Sequence, residues 1–188
     1  MRIVAGRLKG RTIAAPEGRD VRPTSDRVRE SLFNILEHRD WGKGGRSPVP
    51  GARVLDAFCG TGALGLEALS RGAAHATFLD NARPALAVCR ENVRKLGQIA
   101  NADILQGDTL KPVRPRAPCD LVFLDPPYGQ DLVPKALAAL AAEGWFAPGA
   151  ICIVETGARE VFDAPADFTE LDDRTYGAAR IRILRYAG

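Results

Sequence analysis

Four consecutive residues, Asp125-Pro126-Pro127-Tyr128, bring together a carboxylate, backbone carbonyls and an aromatic ring. Each proline fixes its φ and lacks an N–H, so the turn is rich in acceptors and poor in donors. Such a turn suits a flat ligand bearing an NH2 group: the acceptors take the amino hydrogens and the ring stacks on the face of the base. The same four residues would also serve as a plain strand-ending turn with a buried tyrosine. What decides between the two is whatever else the chain brings beside them. The run just before, residues 121–124, is wholly apolar and reads as a strand buried on both faces. That places the turn at the carboxyl end of a strand, where open α/β sheets bind ligands.

A second constellation lies upstream. Gly60-Thr61-Gly62-Ala63-Leu64-Gly65 matches G-x-G-x-x-G between a strand, residues 53–58, and a helix, residues 63–71. Asp80 follows about twenty residues on, ending the next strand, where a ribose-binding acid belongs. The helix N-terminus offers N–H groups to an anion. A dinucleotide is the first ligand to consider, but Asp56 sits just before the loop, and a carboxylate there repels a pyrophosphate while accepting from an ammonium. Asp108, after the third strand, adds another acid on the same edge. This row fits a ribose diol, an exocyclic adenine amine and a cationic amino-acid tail, which is the description of S-adenosylmethionine. The cofactor-binding candidates are Asp56, Phe58, Gly60, Thr61, Gly62, Asp80, Asn81, Asp108 and Thr109. For Asp108 a loop-capping role is the competing reading.

The elements that must position these residues alternate in kind. Strands are expected at 53–58, 76–79, 102–106, 121–124 and 150–155, with helices at 63–71, 84–96 and 133–142. Two further strand candidates, 168–171 and 179–186, close the chain. Strand–helix alternation predicts a largely parallel sheet with helices on both faces, and the closing hairpin predicts an antiparallel edge. Before this body, residues 2–15 read as a short β-hairpin with Arg7, Lys9 and Arg11 at its tip. A helix follows from Thr24 or Ser25, with Val28, Leu32, Ile35 and Leu36 as its apolar stripe. Residues 41–51 are rich in glycine and proline. The expected division is therefore a basic extension at 1–41, a linker at 42–51 and a cofactor-binding catalytic domain at 52–188.

The 188-residue chain is the size of one domain with a small appendage, and its 46% apolar content supports a full core. No apolar run reaches membrane-spanning length and no secretory signal is visible, so a cytoplasmic protein is expected. Cys59, Cys89, Cys119 and Cys152 are scattered without a C-x-x-C pair, which argues against a zinc or redox site. No metal site is expected. Between Arg2 and Arg29 eight bases face three acids, a net +5 that exceeds the +3 of the whole chain. A basic arm on a near-neutral body is a footprint for a polyanion. Arg7, Lys9, Arg11, Arg22, Arg27 and Arg29 are the candidate phosphate contacts, against the alternative of a solvated charged surface. His38, His75, Trp41 and Trp145 read as surface or packing residues.

The segment from Asp56 to Gly62, with Asp80, Asp108 and Asp125-Pro126-Pro127-Tyr128, resembles the class I, Rossmann-like S-adenosylmethionine-dependent methyltransferases that act on exocyclic amines. The N-terminal blocks at residues 2–11 and 22–30 resemble those of the RsmD family, which methylates the N2 amine of guanine 966 in bacterial 16S rRNA. The resemblance spans nearly the whole chain. It implies a seven-stranded sheet with the last strand inserted antiparallel. It further implies Asp125, Pro126, Pro127 and Tyr128 as catalytic residues, S-adenosylmethionine as cofactor, and 16S rRNA in an assembled small subunit as partner of a monomeric enzyme. The residues alone leave rivals open. Adenine N6 would fit the same turn; an NAD-dependent oxidoreductase or a non-catalytic nucleic-acid-binding protein would share the fold.

Overall fold

The computed structural model describes residues 1–14, 26–41 and 46–188. Its centre is a seven-stranded sheet. In chain order the strands are β1 (Arg53–Ala57), β2 (His75–Asp80), β3 (Ala102–Gln106), β4 (Cys119–Leu124), β5 (Phe146–Gly157), β6 (Phe168–Tyr176) and β7 (Ala179–Tyr186). Their order across the sheet is β3-β2-β1-β4-β5-β7-β6. The first five run parallel, and β7 lies antiparallel between β5 and β6. The seven-stranded sheet with its inserted antiparallel strand is thus present. The closing hairpin of β6 and β7 also forms the expected antiparallel edge, with β7 interior and β6 outermost.

Period-two alternation splits the strands between two cores. Val54, Phe78, Leu121, Phe123, Ile151 and Ile183 face one side. There they meet the helices α1 (Asp26–His38), α2 (Ala63–Ser70) and α3 (Arg83–Lys95). Leu55, Leu79, Val122, Leu124 and Val154 face the other, against Val133, Leu137 and Leu140 of α4 (Val133–Ala142). Helices on both faces leave β1 and β4 with no solvated side, which is why both are nearly continuous apolar runs.

Registry then fixes the carboxyl edge. Ala57 pairs with Leu79 and with Leu124, and Leu124 pairs with Val154. Asp56, Asp80, Asp125 and Glu155 therefore lie on or just past neighbouring strands at nearly the same level of the carboxyl edge.

Two strands are longer than their sequence pattern suggests. β5 begins at Phe146 rather than 150, and β6 runs on to Tyr176 rather than 171. The outer half of β6 has no apolar alternation. It is held by its ladder to β7 and by cross-strand ion pairs, Arg180 with Asp173 and Arg182 with Glu170.

The N-terminal hairpin is reduced to one antiparallel bridge, Arg2 with Thr12, closed by Ile3 N–H to the Arg11 carbonyl and Ile13 N–H to the Met1 carbonyl. It is docked on the body. Ile3 and Ile13 are buried with Leu32, Phe33, Leu36 and Leu66 in a single cluster. Gly6 has φ +78°, and a Cβ there would lie 2.0 Å from the Ser70 carbonyl oxygen, so only glycine permits this approach. The stripe of α1 is also shifted from the expected one. Arg29, Leu32, Phe33 and Leu36 are buried, while Val28 and Ile35 are partly so. Phe33 packs on Phe123 with ring centroids 5.6 Å apart, and the Arg71 guanidinium lies over it at 4.8 Å. The expected cap of this helix, Thr24 or Ser25, lies outside the described residues, as do residues 42–45 of the expected linker.

Candidate active site

At the carboxyl edge a cavity of about 710 Å³ opens between the glycine loop and the Asp-Pro-Pro-Tyr turn. Asp56, Phe58, Gly60, Thr61, Asp80, Asn81 and Asp108 line it, together with Asp125, Pro126, Pro127 and Tyr128. Two sites proposed from separate stretches of sequence are thus one site. Gly62 and Thr109, also expected here, are not lining residues. Gly62 is the N-cap of α2 at φ +79°, where a Cβ would lie 2.8 Å from Cys89 Sγ, so its role is packing the loop. Thr109 is buried beneath the turn that Asp108 begins.

The acids hold the loop in shape. Asp80 accepts the Gly60 N–H through Oδ2 and the Ala82 N–H through Oδ1, both at 2.8 Å. Asp56 accepts the Gly65 N–H through Oδ2, also at 2.8 Å. The Gly62 N–H goes to the Cys59 carbonyl. The expected row of N–H groups awaiting an anion is therefore narrower, and the loop positions facing the cavity are Gly60, Thr61, Ala63 and Leu64. Phe58 has φ +58°, a strained value for a bulky residue, at the point where β1 turns into the loop.

Asp56 is only 1% exposed. Burial pushes its carboxyl from 3.8 up to about 8; the Gly65 N–H opposes this, and the neighbouring Asp80 charge adds to it. A buried acid beside a second acid is a site that a cation relieves. The donor set therefore fits the ammonium and ribose hydroxyls of S-adenosylmethionine. Asp108 lines the cavity and also accepts the Leu110 N–H through Oδ1 at 2.9 Å, so the cavity position and the loop cap coexist.

In the Asp-Pro-Pro-Tyr turn Asp125 and Tyr128 are half-buried, Pro126 is buried and Pro127 exposed. The Tyr128 hydroxyl donates to Glu155 Oε1 at 2.7 Å. Among the described residues no group of three or more His, Cys, Asp or Glu could hold a metal ion. The four cysteines are buried and unbridged. Burial raises the thiols of Cys119, to about 12, and of Cys152; a hydrogen bond with Cys89 and burial raise that of Cys59. Thiols so shifted are poor nucleophiles.

With the geometry in view, comparison with known proteins is specific. The family described as Conserved hypothetical protein 95 matches residues 1–185. The chain is 33% identical over 189 residues to the ribosomal RNA small subunit methyltransferase D of Haemophilus influenzae, covering 97% of this chain and 92% of that protein. It is 37% identical over 160 residues to the protein of the same name from Escherichia coli, covering 83% and 74%. The chain belongs to the RsmD family. The solved structure of yhhF from Escherichia coli superposes with a TM-score of 0.84 at 32% identity, covering all of this chain and 98% of that one. The fold is that of the class I methyltransferases.

Within this family member the candidate phosphate contacts divide. Lys9 and Arg27 are exposed. Arg7 is exposed but its guanidinium donates to the Gln98 side chain and the Leu69 carbonyl, and Arg11 donates to the Lys95 carbonyl. Arg22 lies outside the described residues. Arg29 is corrected: it is 0% exposed and cannot reach a phosphate. It donates to the Arg2 carbonyl at 2.5 Å and to Asp26 at 2.8 Å, and its Nε lies 3.6 Å from Glu67. A buried guanidinium needs such acceptors, and here they come from the docked hairpin and α2.

Sequence reasoning missed three residues. Glu67, on α2, accepts the Val4 and Ala5 N–H groups and pairs with Arg71. Asn92, on α3, exchanges hydrogen bonds with Ala14 and donates to the Thr61 carbonyl of the glycine loop. Neither leaves a sequence signal, since both look like ordinary solvated helix positions. Glu155 did leave one. It ends an apolar run as Asp56, Asp80 and Asp125 do, so the rule that found those acids also finds this one.

Proposed function

We propose that this protein transfers a methyl group from S-adenosylmethionine to the exocyclic N2 amine of a guanine in small-subunit ribosomal RNA. The carrying observation is that one cavity is lined both by the acid row of Asp56, Asp80 and Asp108 and by Asp125 to Tyr128. The relatives named above are rRNA small subunit methyltransferases, which supports RNA as the substrate class. When bound, S-adenosylmethionine supplies an electrophilic methyl group. Asp56 would receive its ammonium, Asp80 its ribose hydroxyls and Asp108 its adenine amine.

The guanine N2 lone pair is delocalised into the ring, so the amine is a weak nucleophile. The Asp125 carboxylate and the Pro126 carbonyl accept its two hydrogens. That favours a pyramidal nitrogen, aims the lone pair and stabilises positive charge as it develops. The proline turn suits the task because it offers acceptors with no competing N–H at Pro126 or Pro127. Tyr128 stacks on the base once it has left its own stack. Lys9 and Arg27, with Arg22, contact RNA phosphates and set orientation. Residues 1–41 serve as the RNA-contacting extension, 42–51 as the linker and 52–188 as the catalytic domain. The partner is 16S rRNA within an assembled or assembling subunit, met by a monomer in the cytoplasm.

The test is transfer of labelled methyl to small subunits from cells lacking the endogenous activity, followed by nucleoside analysis. N2-methylguanosine is expected, abolished in Asp125→Ala while cofactor binding persists. N6-methyladenosine instead would overturn the guanine assignment, and no label in any RNA would overturn the substrate class.

A further inference from the structure

We propose that Glu155 is a positioning residue that holds Tyr128 in its base-stacking orientation, and that the end of β5 acts as a brace for the catalytic turn. The inference rests on the functional reading above. Tyr128 follows two rigid prolines but precedes Gly129, which sits at φ +75° and gives the turn a loose end. Three contacts from one short segment restrain that end. The Tyr128 hydroxyl donates to Glu155 Oε1 at 2.7 Å. The Gly129 N–H donates to Glu160 Oε1 at 2.5 Å. The Tyr128 ring lies against Gly157, where an added Cβ would come within 3.4 Å of ring carbon Cδ2.

The carboxylate is well placed to bear this role. Glu155 is 9% exposed and lies one residue past the Leu124–Val154 pair, level with Asp125. Its position is fixed by pairing with Ile181 of β7 and by the Val154–Leu124 pair just before it. A hydroxyl tied to a carboxylate on a rigid strand leaves the ring one orientation, so ordering is complete before the base arrives. Glu155 touches the ring's hydroxyl and does not line the cavity, so it acts on the base through Tyr128.

The experiment is a double-mutant cycle on methyl transfer to small subunits, with cofactor affinity measured alongside. Glu155→Ala is expected to lower kcat/KM for RNA by about 10- to 100-fold, the range for a hydrogen bond to a charged group. Cofactor Kd should stay within about twofold, since Glu155 is not a lining residue of the cavity. Glu155→Gln, which keeps an acceptor oxygen, should recover most of the loss. Tyr128→Phe should show the same loss, and Glu155→Ala in that background should cost nothing more. An equal loss in the Tyr128→Phe background, or wild-type activity in Glu155→Ala, would overturn the proposal. Ring-carbon NMR of the three tyrosines separates this from the functional reading. Freed motion of Tyr128 alone in Glu155→Ala supports the brace even if wild-type protein methylates no guanine, and an unchanged Tyr128 signal argues against it.

Discussion

Replacing Asp56 by Asn tests the electrostatics of the cofactor end. The carboxyl is buried and raised from 3.8 to about 8. A folded-state value above the unfolded one means that the folded protein holds this proton more tightly. The resulting stability is complete below pH 3.8 and is lost as pH rises toward about 8. Between those limits the slope is about 1.4 kcal/mol per pH unit, so the loss from pH 5 to pH 7 is about 3 kcal/mol. Asparagine does not titrate and keeps one oxygen for the Gly65 N–H. The stability of Asp56→Asn relative to wild type should therefore climb by about 3 kcal/mol over that interval and level off above pH 8. Urea unfolding of cofactor-free protein at each pH reads this directly, as a midpoint difference growing by about 1–2 M at unchanged slope. The same variant should bind cofactor more weakly, having lost the acceptor for its ammonium. Wild-type affinity should rise with pH up to about 8, because the cation is received by the ionised form. Parallel wild-type and variant stability curves from pH 5 to pH 8 would refute the reasoning.

Gly65→Ala should cost about 1–3 kcal/mol or more, because a Cβ there would lie 2.5 Å from the Phe78 ring in a filled core; urea unfolding checks it. Arg29→Ala should destabilise by about 3 kcal/mol, removing a cation from beside the buried Glu67 carboxylate and the guanidinium donor from the Arg2 carbonyl. It should not alter the salt dependence of RNA affinity, whereas Lys9→Ala should leave stability alone and reduce the slope of log K against log salt by about one.

The sheet, its helices and the acid row were legible because burial on both faces writes itself as apolar runs, and because each strand ends where a polar residue interrupts one. The acids that line the cavity were legible for the same reason, since Asp56, Asp80 and Asp125 are interruptions of this kind. The outer half of β6 was not, because residues 172–175 are polar and their strand is held by pairing with β7 rather than by burial. Arg29 was misassigned because charge in a sequence carries no mark of burial. Its acceptors, the Arg2 carbonyl and Glu67, come from elements 27 and 38 residues away. Asn92 is invisible for the same reason, its partners lying 31 and 78 residues off.

Those separations also set a clock on biosynthesis. Residues 1–14 are made before the partners that hold them and can settle only late. Val4 waits for Glu67, 63 residues on, and Ala14 waits for Asn92, 78 residues on. At 5–20 residues per second, the second wait lasts roughly 4 to 16 s. For most of that interval Ile3 and Ile13 lack Leu66 of their buried cluster, and Arg11 lacks its Lys95 acceptor throughout. Asn92 binds Ala14 and the Thr61 carbonyl with one side chain, so translation of α3 ties the hairpin and the glycine loop together. A nascent chain of this protein thus gains the hairpin's anchor at Ala14 and the brace of its glycine loop at Thr61 in the same event.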